Sequence, residues 1–293
     1  MEFYDSICSF RSREDSVIRR VCWEITTDCN LNCKFCHRFK ANVQYYDYNK
    51  LPRTIQLLKN AGIKNVIMSG GEPLIQPRLF DIMYMLHKEN FELDLCSNGT
   101  MINYDIAINL KKYLSEISIS IDGYSHLRHD YMRNTPGCFI RTIKNVTLLI
   151  ELGFDVHITT VMDISFIMEI EKMVDFLANL GVRSVSFQGL IPLNAGTNLL
   201  FETDNQKLLI EQLAIARNKF PEIAINSKQL IVEKTNSNCK CGAGNVVWGL
   251  DVNGLKLHKC LLTREREGKD VNFVSQGICN GNVYLTKIGE NKD

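Results

Sequence analysis

The chain has no apolar run approaching the ~20 residues needed to span a bilayer, so a transmembrane helix is not expected. Its first twenty residues are polar and charged and lack the apolar core of a secretory signal. Charge of one sign is also missing: 34 basic residues face 33 acidic ones, a net charge of +1. No basic stripe interleaved with aromatics breaks that balance, so neither nucleic acid nor a membrane is an expected partner. No low-complexity linker is visible. The remainder is an ordinary globular composition, 45% hydrophobic and 23% charged over 293 residues. That suits one large domain or two smaller ones in the cytoplasm.

Cysteine is abundant, with eleven copies. The count is odd and no export signal accompanies it, which makes a disulfide scaffold the weaker reading and clustered metal-binding thiols the stronger one. Cys29, Cys33 and Cys36 cluster near the start, and Cys239, Cys241 and Cys260 near the end. Cys8, Cys22, Cys96, Cys138 and Cys279 are scattered. Cys22 and Cys96 fall in predicted strands and are expected to be small buried residues.

Between the clusters, β-rich runs alternate with amphipathic helical patterns. Strands are predicted over 21–26, 65–69, 91–96, 116–121, 155–161 and 183–188, and helices over 50–60, 78–88, 104–113, 139–152 and 166–180. In the last of these, Phe166, Ile170, Met173, Val174, Leu177 and Leu180 share one face. Gly62, Gly153 and Gly181 each end a helix and precede a strand. This is the βα rhythm of a parallel sheet with right-handed crossovers. After Gln188 the rhythm changes. A loop is expected over 190–203, a helix over 204–219 with Asp204 as its N-cap, and a hairpin of 246–252 with 254–257 around Asn253-Gly254. The expected organisation is a 1–20 extension, a 21–190 core, a 191–235 connecting helical segment and a 236–293 C-terminal unit.

The segment Thr26-Thr27-Asp28-Cys29-Asn30-Leu31-Asn32-Cys33-Lys34-Phe35-Cys36-His37 follows the first predicted strand. Parallel βα folds put their chemistry at that carboxyl end. Three thiolates in one short loop can hold three corners of a [4Fe–4S] cluster and leave one iron open. Zinc held by Cys₃His, with His37 as fourth ligand, is the alternative. Structural zinc sites generally join two separated ligand pairs, which this loop does not.

Cys-x₃-Cys-x₂-Cys after a first strand, with Phe35 before the third cysteine, resembles the radical S-adenosylmethionine (SAM) enzymes. Further segments follow in matching order. Ser69-Gly70-Gly71-Glu72-Pro73 after strand two resembles the family's GGE motif, and Ser97-Asn98-Gly99-Thr100 after strand three its TNG segment. Ser118-Ile119-Ser120-Ile121-Asp122-Gly123 resembles its SxD segment, and Asp122 to Gly137, with Arg133 before Pro136-Gly137, its next conserved region. Each alone is a turn or loop signal; in register along residues 21 to 190 they reinforce one another.

The resemblance implies an α/β fold: a partial parallel (βα)6 barrel with a small C-terminal iron–sulfur domain. It implies that Cys29, Cys33 and Cys36 hold a SAM-binding [4Fe–4S] cluster. Phe35, Gly70, Gly71, Glu72, Ser97, Asn98, Ser120, Asp122 and Arg133 are the implied SAM-site residues. In the family the glycines let backbone approach the ligand, GGE polar atoms bind the SAM amine, and the SxD segment contacts ribose or carboxylate. The implied reaction passes one electron from the cluster, fed by a flavodoxin- or ferredoxin-type donor, into SAM. Methionine leaves, and a 5′-deoxyadenosyl radical takes hydrogen from a substrate C–H. Thr159, Thr160 and Gln188 are candidate cavity-wall residues.

Cys239-Lys240-Cys241, Asn253-Gly254 and His258-Lys259-Cys260 resemble the SPASM extension or its shortened twitch form. Five residues rather than four separate Gly254 from Cys260, and Gly281-Asn282-Val283 is not followed by further cysteines. The resemblance therefore implies one auxiliary [4Fe–4S] cluster. Cys241 and Cys260 are its first ligands, with Cys239 and Cys279 as candidates for the rest; a zinc site or unligated thiols is the alternative. A thiol left over, Cys239 or Cys279, is a candidate hydrogen-atom donor to a substrate radical.

The expected function is radical chemistry on a peptide or small polar substrate: peptide crosslinking, epimerisation or dehydrogenation. A sugar or aminocyclitol dehydrogenase or epimerase is the alternative. A molybdenum-cofactor cyclase ranks below both because the final Gly289-Glu290-Asn291-Lys292-Asp293 lacks that enzyme's Gly-Gly tail. A non-catalytic iron–sulfur or zinc protein would not need the Gly70-Gly71-Glu72 segment.

Overall fold

The computed structural model describes residues 19–36, 42–189, 203–227 and 247–258. Nine strands form one sheet: β1 (Arg19–Glu24), β2 (Ile63–Ser69), β3 (Glu92–Ser97), β4 (Leu114–Ser120), β5 (Val156–Met162), β6 (Ser184–Gly189), β7 (Ala224–Ser227), β8 (Val247–Leu250) and β9 (Leu257–His258). Their order is β7-β6-β5-β4-β3-β2-β1-β8-β9. The first eight strands pair in parallel and only β8 with β9 is antiparallel. Helices α1 (Leu51–Asn60), α2 (Leu79–Lys88), α3 (Tyr104–Lys111), α4 (His126–Arg133), α5 (Cys138–Glu151), α6 (Ile170–Asn179) and α7 (Thr203–Lys219) make the crossovers. This is the expected α/β fold. Among the described residues nothing joins β7 to β9, so the sheet stays open.

Burial alternates in β1 and β4, as it does where one face of a sheet is left open, while β2, β3 and β6 carry runs of three or four buried residues. In β4, Ile117 and Ile119 are buried while Ser118 and Ser120 are half-exposed; in β1, Val21 and Trp23 are buried while Cys22 is not. One face packs on helices. Leu79, Ile82, Met83 and Leu86 of α2 and Ile170, Met173, Val174 and Leu177 of α6 supply the matching apolar stripes. The other face carries the polar side chains. Gly62, Gly153 and Gly181 have φ of 69°, 77° and 87°, the left-handed geometry that ends each helix.

Four elements depart from the sequence reading. α4 is a helix in a stretch for which the sequence reading names no element. Residues 164–169 form a 3-10 turn, so α6 begins at Ile170, not Phe166. β7 adds a seventh parallel strand beside β6. α7 starts at Thr203, so Asp204 lies inside its first turn and does not cap it. The expected hairpin exists, with Leu250 opposite Leu257, but β8 also joins the main sheet beside β1. Its turn docks firmly. Trp23 Nε1 donates to the Asp251 carbonyl at 3.1 Å, and Thr54 Oγ1 donates to that of Gly254 at 2.8 Å.

Candidate active site

The loop after β1 carries Cys29, Cys33 and Cys36, and backbone bonds tie it to the loop after β2. Gly71 N–H donates to the Thr26 carbonyl and Glu72 N–H to that of Asp28, both at 2.7 Å. Only glycine permits this approach. A Cβ on Gly71 would lie 1.6 Å from the Asp28 carbonyl oxygen, and one on Gly70, at φ 134°, would lie 2.4 Å from that of Thr26. The bare backbone of both glycines is thus used against the cysteine loop, and both also border the cavity beside it.

That cavity measures about 310 Å³. Cys29, Cys33, Phe35 and Cys36 form one wall. Ser69 of β2, Ser97 of β3 and Asn98 after it, Ser120 of β4, Val161 of β5 and Gln188 of β6 continue it. Ends of successive strands can line one cavity only if the sheet curves around it, which makes the sheet a partial barrel. Arg133 of α4 completes the wall near Cys33.

Two expected residues point elsewhere. Glu72 is fully buried: its Oε1 accepts from Ser97 Oγ at 2.8 Å and from Leu74 N–H at 3.3 Å, and its Oε2 accepts from Asn98 N–H at 2.8 Å. It braces the loop after β3 and does not line the cavity. Asp122 is also absent from the lining. Its Oδ1 accepts from Val161 N–H at 2.9 Å and its Oδ2 lies 2.6 Å from Arg133 Nε. α5 supports the same region, with Thr142 donating to the Asn98 carbonyl and Asn145 to that of Gly99.

Electrostatics follow from burial. Burial pushes the Cys33 thiol up, with Arg133 pulling the other way. Burial works against the Arg133 charge too, but Asp122 and then Cys33 outweigh it and its pKa lies above the ordinary value. Burial holds His129 neutral, with a pKa lowered to about 4; its Nδ1 accepts from Asp122 N–H at 3.0 Å.

The donor set fits a [4Fe–4S] cluster. Among the described residues no three His, Cys, Asp or Glu side chains gather as ligands of a single ion. Three thiols spread along one cavity wall suit a cluster that takes one thiolate per iron. Hydrogen-bond donors already face two sulfurs: Leu31 N–H at 3.4 Å and Asn98 Nδ2 at 4.0 Å from Cys29 Sγ, and Arg133 Nη1 at 3.7 Å from Cys33 Sγ. Such donors suit sulfurs that carry negative charge. His37, Cys239, Cys241, Cys260 and Cys279 lie outside the described residues.

Of the candidate wall residues, Gln188 lines the cavity. Thr159 and Thr160 do not: one hydroxyl pairs with Ser118 at 3.0 Å, and the other donates to the Ile121 carbonyl at 2.7 Å. The β5 contribution is Val161, one residue further on. Cys96, expected to be buried, is half-buried and lines the cavity. Asp28 went unnoticed in the sequence. It lines the cavity, and its carboxylate accepts from Cys29 N–H at 2.8 Å and from the Tyr45 hydroxyl. Its signal is an Asp opening a tight loop, a residue that bonds the backbone just ahead of it.

Comparison with known proteins agrees with this geometry. The chain is 29% identical over 182 residues to the AdoMet-dependent heme synthase of Methanosarcina barkeri, covering 61% of this chain and 52% of that protein. It is 23% identical over 229 residues to the antilisterial bacteriocin subtilosin biosynthesis protein AlbA of Bacillus subtilis, covering 76% of this chain and 50% of that one. The chain thus spans about half the length of these relatives. The fold matches Streptococcus suis SuiB, solved with precursor peptide SuiA, at a TM-score of 0.70 and 16% identity, over 87% of this chain and 63% of that one. Residues 23–177 match the Radical SAM superfamily, more than half of the chain, and the protein therefore belongs to that superfamily of enzymes.

Proposed function

We propose that the chain binds a [4Fe–4S] cluster through Cys29, Cys33 and Cys36, cleaves SAM reductively, and acts on C–H bonds of a peptide substrate. The observation that carries the first part is the meeting of all three thiols with the ends of β2, β3, β4 and β6 at one cavity. Such a cluster, once reduced, supplies the electron that breaks the sulfonium C–S bond and so generates a carbon radical able to take hydrogen. The protein binds and orients. Phe35 offers an apolar face; Ser120, Asn98 and Gln188 offer hydroxyl and amide groups for ribose and amino-acid portions; Arg133 offers charge to a carboxylate. Walls from the cysteine loop and the strand ends border the reacting centre on several sides. An external flavodoxin- or ferredoxin-type protein supplies electrons in this reading.

Similarity to AlbA and the SuiB fold supports a peptide substrate. A tetrapyrrole is the second reading, favoured by the 29% identity to a heme synthase. In the same proposal Cys241 and Cys260, with Cys239 and Cys279, hold one auxiliary cluster in 236–293, on the strength of their spacing. Either of the last two, if left free, is a hydrogen-atom donor; a Cys→Ala change that leaves product stereochemistry unaltered removes that role.

The test is anaerobic reconstitution with iron and sulfide, then dithionite and SAM. 5′-Deoxyadenosine should form and should vanish in Cys29→Ala. Deuterium carried from a labelled short precursor peptide into 5′-deoxyadenosine supports the peptide reading. Transfer from a labelled tetrapyrrole alone replaces it with the second. Iron near ~8 per chain indicates two clusters and ~4 indicates one.

A further inference from the structure

Arg133 sits at the end of α4 with its side chain only 9% exposed, and Asp122 beside it is 0% exposed. Asp122 takes Nε of the guanidinium at 2.6 Å, and Nη1 donates to Cys33 Sγ at 3.7 Å. The guanidinium carbon lies 5.2 Å from the centre of the Phe35 ring. Asp122 cannot swing freely. Its other oxygen accepts from Val161 N–H at 2.9 Å, and its own N–H donates to His129 at 3.0 Å. Two neutral donors, a backbone N–H and an amide, face Cys29.

We propose that Arg133 is a positioning residue that tunes the cluster: held by Asp122, it directs a buried N–H and a positive charge at the Cys33 sulfur and raises the cluster's reduction potential. The inference rests on the cluster reading above. Added electron density spreads onto the ligand sulfurs, and a cation hydrogen-bonded to one of them stabilises the reduced state more than the oxidised state. A buried cation is screened little by solvent, so the effect is not diluted as it would be at the surface. Phe35, between the second and third cysteines, covers one side of the guanidinium, so the same side chain couples the ligand loop to α4.

The experiment is EPR-monitored redox titration of the reconstituted holoprotein without SAM. Arg133→Gln should lower the midpoint potential at unchanged iron content. Arg133→Lys, which keeps charge but loses the forked geometry, should fall between it and the unaltered protein. An Arg133→Gln midpoint equal to that of the unaltered protein overturns the proposal. Should that variant fail to hold iron, the unaltered protein decides. Grown on arginine labelled with ¹⁵N in the guanidinium, its reduced cluster should show a ¹⁵N coupling by pulsed EPR, and absence of the coupling overturns the proposal. A holoprotein with no iron–sulfur signal at all defeats the cluster reading itself. An unshifted Arg133→Gln midpoint defeats only this inference.

Discussion

Gly71 lies against Asp28 so closely that a Cβ would stand 1.6 Å from the Asp28 carbonyl oxygen. The obstacle is backbone and cannot turn aside. Gly71→Ala should therefore part the two loops and break the bridges to Thr26 and Asp28. We expect a loss of about 2 kcal/mol or more, read as a fall of ~5 °C in Tm, together with loss of iron after reconstitution.

Glu72 serves three donors at once: Ser97 Oγ, Leu74 N–H and Asn98 N–H. Glu72→Ala leaves all three unanswered in a buried place and should cost about 3 kcal/mol. Glu72→Gln keeps one acceptor oxygen and should cost roughly half as much. Denaturant unfolding of the two variants side by side checks the order.

His129 makes stability depend on pH. Burial lowers its pKa from 6.5 to about 4 in the folded chain. As pH falls, the unfolded chain takes the proton first, so stability falls with it. The contribution is fully present above pH ~6.5 and drains away towards pH ~4, a loss of about 3 kcal/mol at most. His129→Asn, which retains an acceptor for Asp122 N–H, should flatten the curve of unfolding free energy across that window.

Cys138 should be the slow thiol. It is buried and donates to Asp130 Oδ1 at 3.1 Å, and burial, followed by that carboxylate, pushes its pKa up to about 12. In metal-free folded protein at pH ~8, iodoacetamide should label Cys29 and Cys36 at least ~100-fold faster than Cys138. Peptide mapping by mass spectrometry reads the order directly.

Gly254, at φ 68°, faces the Tyr46 ring, and a Cβ there would lie 2.4 Å from Tyr46 Cε2. Gly254→Ala should lift the β8–β9 turn from α1. Hydrogen exchange across 247–258 should accelerate while β3 to β5 keep their protection.

The βα rhythm was legible because six strands and most helices show the periodicity of their apolar residues, and because glycine marks where helices end. α4 was not legible. His-Leu-Arg-His-Asp-Tyr-Met-Arg buries His129, Met132 and Arg133, and a search for apolar periodicity passes over a helix whose inward face is mostly polar. β7 has only four residues, Ala-Ile-Asn-Ser, and depends on β6 for its form. At the site, motif order identified the loops but not which way their side chains turn. Glu72 and Asp122 look like ligand-binding carboxylates in sequence, yet both serve neighbouring backbone and side-chain donors. Val161 and Cys96 reach the cavity because of strand pleat and sheet curvature, neither of which a motif encodes.

The strand beneath the cysteine loop is the first of the described strands yet lies inside the sheet, between β2 and β8. Trp23 meets Asp251 across 228 positions. While the ribosome is still working, one edge of β1 stays bare until the residues of β8 emerge. The support under the cysteine loop is therefore complete only once residues from both ends of the described chain have met.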